Sequence, residues 1–187
     1  MDQDTEHSET ESDREFERGV RKHFSFLESE YSYKVEGLLL LDSEYPKDAR
    51  AVMRYIGCVG VEIQMSLGGI AVGLYELENG RIPEKVSFYG DEGYARAINL
   101  DSLVRTVTGG AVRSPLPELP YHISNAEMYR RVQKRSELIR TKMSEIIEAY
   151  ADRLKRYGSE ILKGDTSIFP TVQKNHSEFF ERHTGSA

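Results

Sequence analysis

The chain has 187 residues and a mass of 21.4 kDa, one domain's worth, and no apolar run approaches the roughly 18 residues a membrane-crossing helix needs. Cys58 is the only cysteine, which excludes an internal disulfide framework and a cysteine-built zinc site. The net charge of −6 sits at one end: residues 1–15 hold seven acids against Arg14, so the remainder sums to zero.

That first stretch contains no Leu, Ile, Val, Tyr or Trp and cannot offset the entropy of ordering itself. Residues 1–13 are therefore expected to form a disordered acidic arm, either a plain solubilising tail or a segment that folds back on a basic surface. An acidic start without an apolar core region predicts no secretory signal, and with one cysteine it places the protein in a reducing cytoplasm. Residues 14–182 are expected to form a single α+β domain, with 183–187 as a disordered tail.

From Arg14 to about Tyr31, Phe16, Val20, Phe24 and Leu27 form one stripe of an amphipathic helix. Gly19 weakens this helix by about 1 kcal/mol against Ala. Val35–Leu41 reads as a strand, Asp42–Asp48 as a turn and Ala51–Ile56 as a second strand. Val59, Val61, Ile63 and Met65 alternate with polar or small residues, the clearest half-buried strand. Gly68-Gly69 then leads into the alternating Ile70, Val72 and Leu74, the pattern of a hairpin. Asn79-Gly80 is a further turn signal, and Lys85–Tyr89 a short strand. The expectation is an antiparallel meander of four to five strands.

Asn99 is placed to cap a helix over Leu100–Val107, stopped by Gly109-Gly110. Three prolines between Ser114 and Pro120 make a stiff, extended connection. Beyond an N-cap at Ser124 or Asn125, apolar residues from Met128 to Tyr157 recur at helical spacing for roughly 50 Å, at 1.5 Å per residue. A helix that long should project from a small domain or pair with another copy. Ser167 and Pro170 mark the start of a short last helix. Strands followed by helices make the fold class α+β: N-terminal helix, meander, long helix, terminal helix.

No catalytic signature stands out. His7, His23, His122, His176 and His183 show no metal-binding spacing, and no phosphate-loop or dinucleotide string is present. Cys58 is expected to be a buried, inert thiol. Asp91-Glu92, and Glu145, Glu148 and Asp152, read as solvated acids rather than metal ligands, so neither metal nor cofactor is expected. The strongest local feature is basic: across residues 130–142 six cations oppose Glu137 alone, a local +5. Arg130, Arg131, Lys134 and Arg135 share one side of the helix and are the candidate partner-binding residues.

The segment H-F-S-F-L-E-S-E-Y (His23–Tyr31), followed by a meander and a long helix ending Y-G-S-E-I-L-K-G-D (Tyr157–Asp165), resembles a set of small bacterial proteins, some of which look like immunity proteins that neutralise toxins. The resemblance spans roughly residues 16–182. It implies core anchors at Phe24 and Leu27 and a helix stop at Gly164-Asp165, and it supplies no catalytic residue. The acidic arm and the Pro115–Pro120 connection are additions to that pattern. The expected function is a non-catalytic protein-binding module, immunity-type or accessory, which occupies the surface of a partner protein that is itself acidic. A homodimer through the long helix remains open. So do a small-molecule site or enzyme between sheet and long helix, around Glu62, Gln64, Tyr75 and Tyr150, and nucleic-acid binding through residues 130–142.

Overall fold

A computed structural model describes residues 10–40, 49–66, 69–119 and 124–184, with no side-chain detail at 49, 50, 183 and 184. The expected turn at Asp42–Asp48, Gly68 of the hairpin, Pro120 and His122 lie outside them.

The first helix, α1 (Glu11–His23), starts earlier than expected because Thr10 and Asp13 close a capping box. The Asp13 carboxylate accepts from the Thr10 N–H at 2.8 Å while the Thr10 hydroxyl accepts from the Asp13 N–H at 3.3 Å. Residues 10–13, assigned to the arm from composition, therefore belong to the folded unit, and Asp13 is buried. A single turn, α2 (Phe26–Ser29), continues the stripe, and Phe16, Val20, Phe24 and Leu27 are all fully buried.

Six strands follow: β1 (Lys34–Leu40), β2 (Ala49–Ile56), β3 (Gly60–Ser66), β4 (Gly69–Tyr75), β5 (Val86–Ser87) and β6 (Ala95–Asn99). They order as β1-β2-β3-β4-β6-β5. β1 to β4 form the antiparallel meander, β6 adds antiparallel to β4, and β5 runs parallel to β6. β6 was not foreseen: it is five residues long and runs straight into the Asn99 cap of α3 (Leu100–Thr108). Gly109 ends α3 in the left-handed conformation.

Register puts Met53 opposite Ile63, Ile63 opposite Val72, and Val61 opposite Leu74 on one sheet face. These side chains share a core with Phe16 of α1, Leu103 of α3 and residues of the long helix α4 (Asn125–Tyr157). Tyr33 ties in the β2–β3 turn. Its hydroxyl donates to the Leu162 carbonyl at 3.1 Å and accepts from the Val59 N–H at 3.3 Å. Its ring lies where a Cβ on Gly57 would come within 2.4 Å, so only glycine fits there.

Tyr55 is fully buried beneath α1, and its hydroxyl finds no partner; burial pushes its pKa up to about 12. An unpaired buried hydroxyl is a cost, so Tyr55→Phe should raise stability by about 1 kcal/mol in urea unfolding. A loss of stability would mean the hydroxyl is bonded after all.

Helix α4 is kinked. Lys142 leaves helical geometry at φ −136° and ψ 27°. One residue earlier the Thr141 hydroxyl donates to the Glu137 carbonyl at 2.9 Å and the Leu138 carbonyl at 3.3 Å, competing with the helical ladder in the way that bends helices. The kink divides α4 by role. Every buried side chain of the helix comes from Ile139 onward, and residues 125–138 contribute none. The first half is at most partly buried. Two further helices, α5 (Ser159–Leu162) and α6 (Phe169–Thr184), close the fold. The Gln173 amide of α6 donates to the Ser87 and Ala97 carbonyls at 2.8 and 3.1 Å, fastening α6 to β5 and β6.

Candidate functional site

The first half of α4 begins on a Ser124 cap, whose hydroxyl accepts from the Glu127 N–H at 3.3 Å. The proline-containing connection passes beside it, anchored by the buried Leu116. Between them lies a groove of about 220 Å³. Pro117, Glu118 and Leu119 line it from the connection; Glu127, Arg130, Arg131, Lys134 and Arg135 line it from the helix. All four residues expected to bind a partner therefore meet in one groove.

Their charges are not all free. Glu127 pairs with both Arg130 and Arg131 at 2.9 Å, and the hydrogen bond from Arg131 holds its carboxyl below the usual range. Further along, Arg140 pairs with Glu137 at 2.7 Å and Lys142 with Glu145 at 3.5 Å. Glu127 and Glu145 lie one turn outside the window that showed +5, which is why the excess looked larger than it is. Lys134 is exposed, and among the described residues neither Lys134 nor Arg135 forms an ion pair. Burial pulls the Arg135 guanidinium below its ordinary value, with Tyr150 and Asp101 partly offsetting this.

Behind the groove, α3, the connection and α4 are joined by Asp101. Its carboxylate accepts from Arg153 at 2.5 Å, from the Ser114 hydroxyl at 2.9 Å and from the Tyr150 hydroxyl at 3.3 Å. Tyr150 therefore does not join the sheet residues grouped with it from sequence. Glu62, Gln64 and Tyr75 do converge, but on the sheet face away from α4. There the buried Glu62 accepts from Arg54 at 2.6 Å, from Gln64, and from the Tyr75 hydroxyl at 3.3 Å. The Tyr75 phenol lies over Gly73, where a Cβ would stand 2.6 Å from its oxygen. Burial, then the Glu62 charge, push the Tyr75 pKa upward. This is a self-satisfied network, and none of the cavities described in this subsection is lined by it.

A wider cavity, about 930 Å³, lies between the loop around Tyr89–Tyr94 and α6. Glu76, Glu78, Asp91, Glu92, Glu178 and Glu181 outnumber Arg96 and Lys174 around it, and Tyr89 and Tyr94 are half-exposed. Asp91 is bound locally, accepting from Ser87 at 2.7 Å, while the Ser87 oxygen accepts three backbone N–H groups of the same loop. Among the described residues no three His, Cys, Asp or Glu side chains are grouped to hold a metal. A third cavity, of about 140 Å³, includes His176, which shares a hydrogen bond of 3.0 Å with Ser102; burial, then Arg105, lower its pKa. His23 bonds Ser144 at 3.1 Å.

Cys58 is exposed, not buried as its apolar and glycine neighbours suggested, because it stands at the tip of the β2–β3 turn. Glu145, Glu148 and Asp152 lie on the solvent side of α4, as expected. No helix among the described residues is long and apolar enough to cross a membrane. No family model matches the chain, and no curated protein or solved structure shows significant similarity to it.

Proposed function

We propose that this protein is a non-catalytic binding module, of the immunity or accessory kind, that holds an acidic surface of a partner protein against the first half of α4. The observation that carries the reading is spatial. Arg130, Arg131, Lys134 and Arg135 line one groove on a stretch of helix that buries none of its own side chains. A half-helix with no fully buried side chain, a basic face and Tyr129 at 72% exposure suits a protein surface better than solvent alone. The expected setting is a bacterial cytoplasm. α1 runs antiparallel to α4, with Gly19 against Ile147 and His23 against Ser144, which carries Thr10 away from Arg130–Arg135. This supports a partner in trans over the chain's own acidic arm.

Nucleic acid is the weaker alternative, since Arg130, Arg131, Arg140 and Lys142 are already paired with glutamates. A small-molecule site on Glu62 would have to open a closed network. The test is native mass spectrometry of complexes recovered from source cells with and without nuclease, repeated with Arg130→Glu/Lys134→Glu. Both residues are exposed, so the fold should survive. A stoichiometric protein partner that resists nuclease and binds at least about tenfold more weakly after charge reversal is the expected result. Recovery of only monomer, or of a homodimer through α4, overturns the hetero-complex. Affinity falling steeply with salt and lost to nuclease would favour nucleic acid.

A further inference from the structure

Of the four cations in the groove, Arg135 is the odd one. It sits where α4, the connection and the start of β4 meet: a Cβ on Gly69 would lie 2.5 Å from its Nη2 and 3.3 Å from the Leu116 side chain. Its Nε is shut off from water and has no acceptor. Among the described residues, the carboxylates around it are committed elsewhere. Asp101 holds Arg153, Ser114 and Tyr150; Glu127 holds Arg130 and Arg131; Glu118 holds Arg105 at 2.9 Å. A guanidinium stays charged at any physiological pH, so a partly desolvated one with no ion pair among the described residues is a standing cost. An oxyanion entering the groove would bring the guanidinium a counter-charge of its own, with Lys134 as a second cation.

We propose that the groove is an oxyanion site, and that its ligand is the carboxylate of an Asp or Glu side chain in an acidic peptide segment, anchored on Arg135 and Lys134. This rests on the binding reading above and names the chemistry of the partner's anchor. A phosphate group offers the same chemistry from another source. The structure thus separates two roles: Arg130 and Arg131, already paired, steer an acidic surface, while Arg135 takes its anchor.

The experiment uses the full chain at low ionic strength. A capped hexaglutamate peptide, its hexaglutamine counterpart and inorganic phosphate are titrated by calorimetry and thermal unfolding against wild type, Arg135→Met and Arg130→Glu/Lys134→Glu. In wild type the glutamate peptide at about a hundredfold excess over its Kd should raise Tm by about 5 °C or more, and the glutamine peptide should not. Arg135→Met should bind the glutamate peptide at least about tenfold more weakly. Without ligand its Tm should equal or exceed that of wild type, because an unpaired charge has been removed. A residue needed only for structure would lower Tm instead. A rise with phosphate alone, absent in Arg135→Met, supports the oxyanion site and assigns it to a free anion, overturning the peptide source. If Arg135→Met binds as wild type while the double variant does not, the anchor falls and the basic surface stands. If neither variant matters, both readings fall.

Discussion

Asp101→Ala should lower the free energy of unfolding by about 3 kcal/mol, whereas Arg153→Met, at the other end of the same ion pair, should cost only about 1 kcal/mol. The asymmetry follows from burial. The Arg153 side chain is 9% exposed and that of Asp101 28%. Removing the carboxylate strands a buried guanidinium whose Nε already lacks a partner, and leaves the Ser114 and Tyr150 hydroxyls with only each other to bond. Removing the guanidinium leaves an acid that still accepts two hydroxyl hydrogen bonds and reaches water, and methionine keeps the apolar stem of the arginine in place. For a chain of this size, Asp101→Ala should bring Tm down by about 10 °C. Urea unfolding of the two variants checks the order. Equal losses would mean that the pair acts through packing alone and that burial does not decide its energetics.

The meander was readable because Val61, Ile63 and Met65, then Ile70, Val72 and Leu74, alternate with polar or small residues, and one sheet face is buried. Helix ends were readable where a capping residue announces them, at Asn99, Ser124 and Gly109. What composition concealed was local chemistry. Thr10 and Asp13 look like part of an acidic run until their reciprocal hydrogen bonds are seen. Gly19 looks like a flaw in α1, yet it is buried where the Ile147 side chain would lie 2.8 Å from a Cβ, so its smallness brings the two helices together. The kink at Lys142 rests on the choice of acceptor by one threonine hydroxyl, which no periodicity reports. For the site, helical spacing correctly gathered Arg130, Arg131, Lys134 and Arg135. Counting charge across 130–142 missed Glu127, which pairs with two of them from within the same helix, and spacing could not reveal that Arg135 is partly buried, because that depends on where α4 meets the connection and β4. Tyr150 was grouped with Glu62 as part of one site between the sheet and the long helix. Only the opposite faces of the sheet separate them.

Phe16→Ala should be the most damaging of the core truncations on α1, at about 4 kcal/mol. Phe16 is fully buried and belongs to the cluster that joins α1 to the sheet and α4. The size of the loss depends on whether the site can collapse around the vacancy, and here it has little freedom. Gly19 already lets α1 approach Ile147 closely, the His23–Ser144 bond holds the next turn, and Thr10–Asp13 locks the first one. The cavity should therefore stay largely open. Two modes of failure are distinguishable. If α1 is integral to the cooperative unit, the urea midpoint falls and the m value is unchanged. If α1 detaches on its own, m falls and hydrogen-exchange protection is lost only across residues 11–23. Because β2 buries Met53 and Tyr55 in the same cluster as Phe16, stripping α1 away would expose the sheet itself, and the global outcome is expected. Exchange confined to α1 would show that the sheet and α4 hold together without it. The first half of α4 could then be presented to a partner by the remainder of the fold.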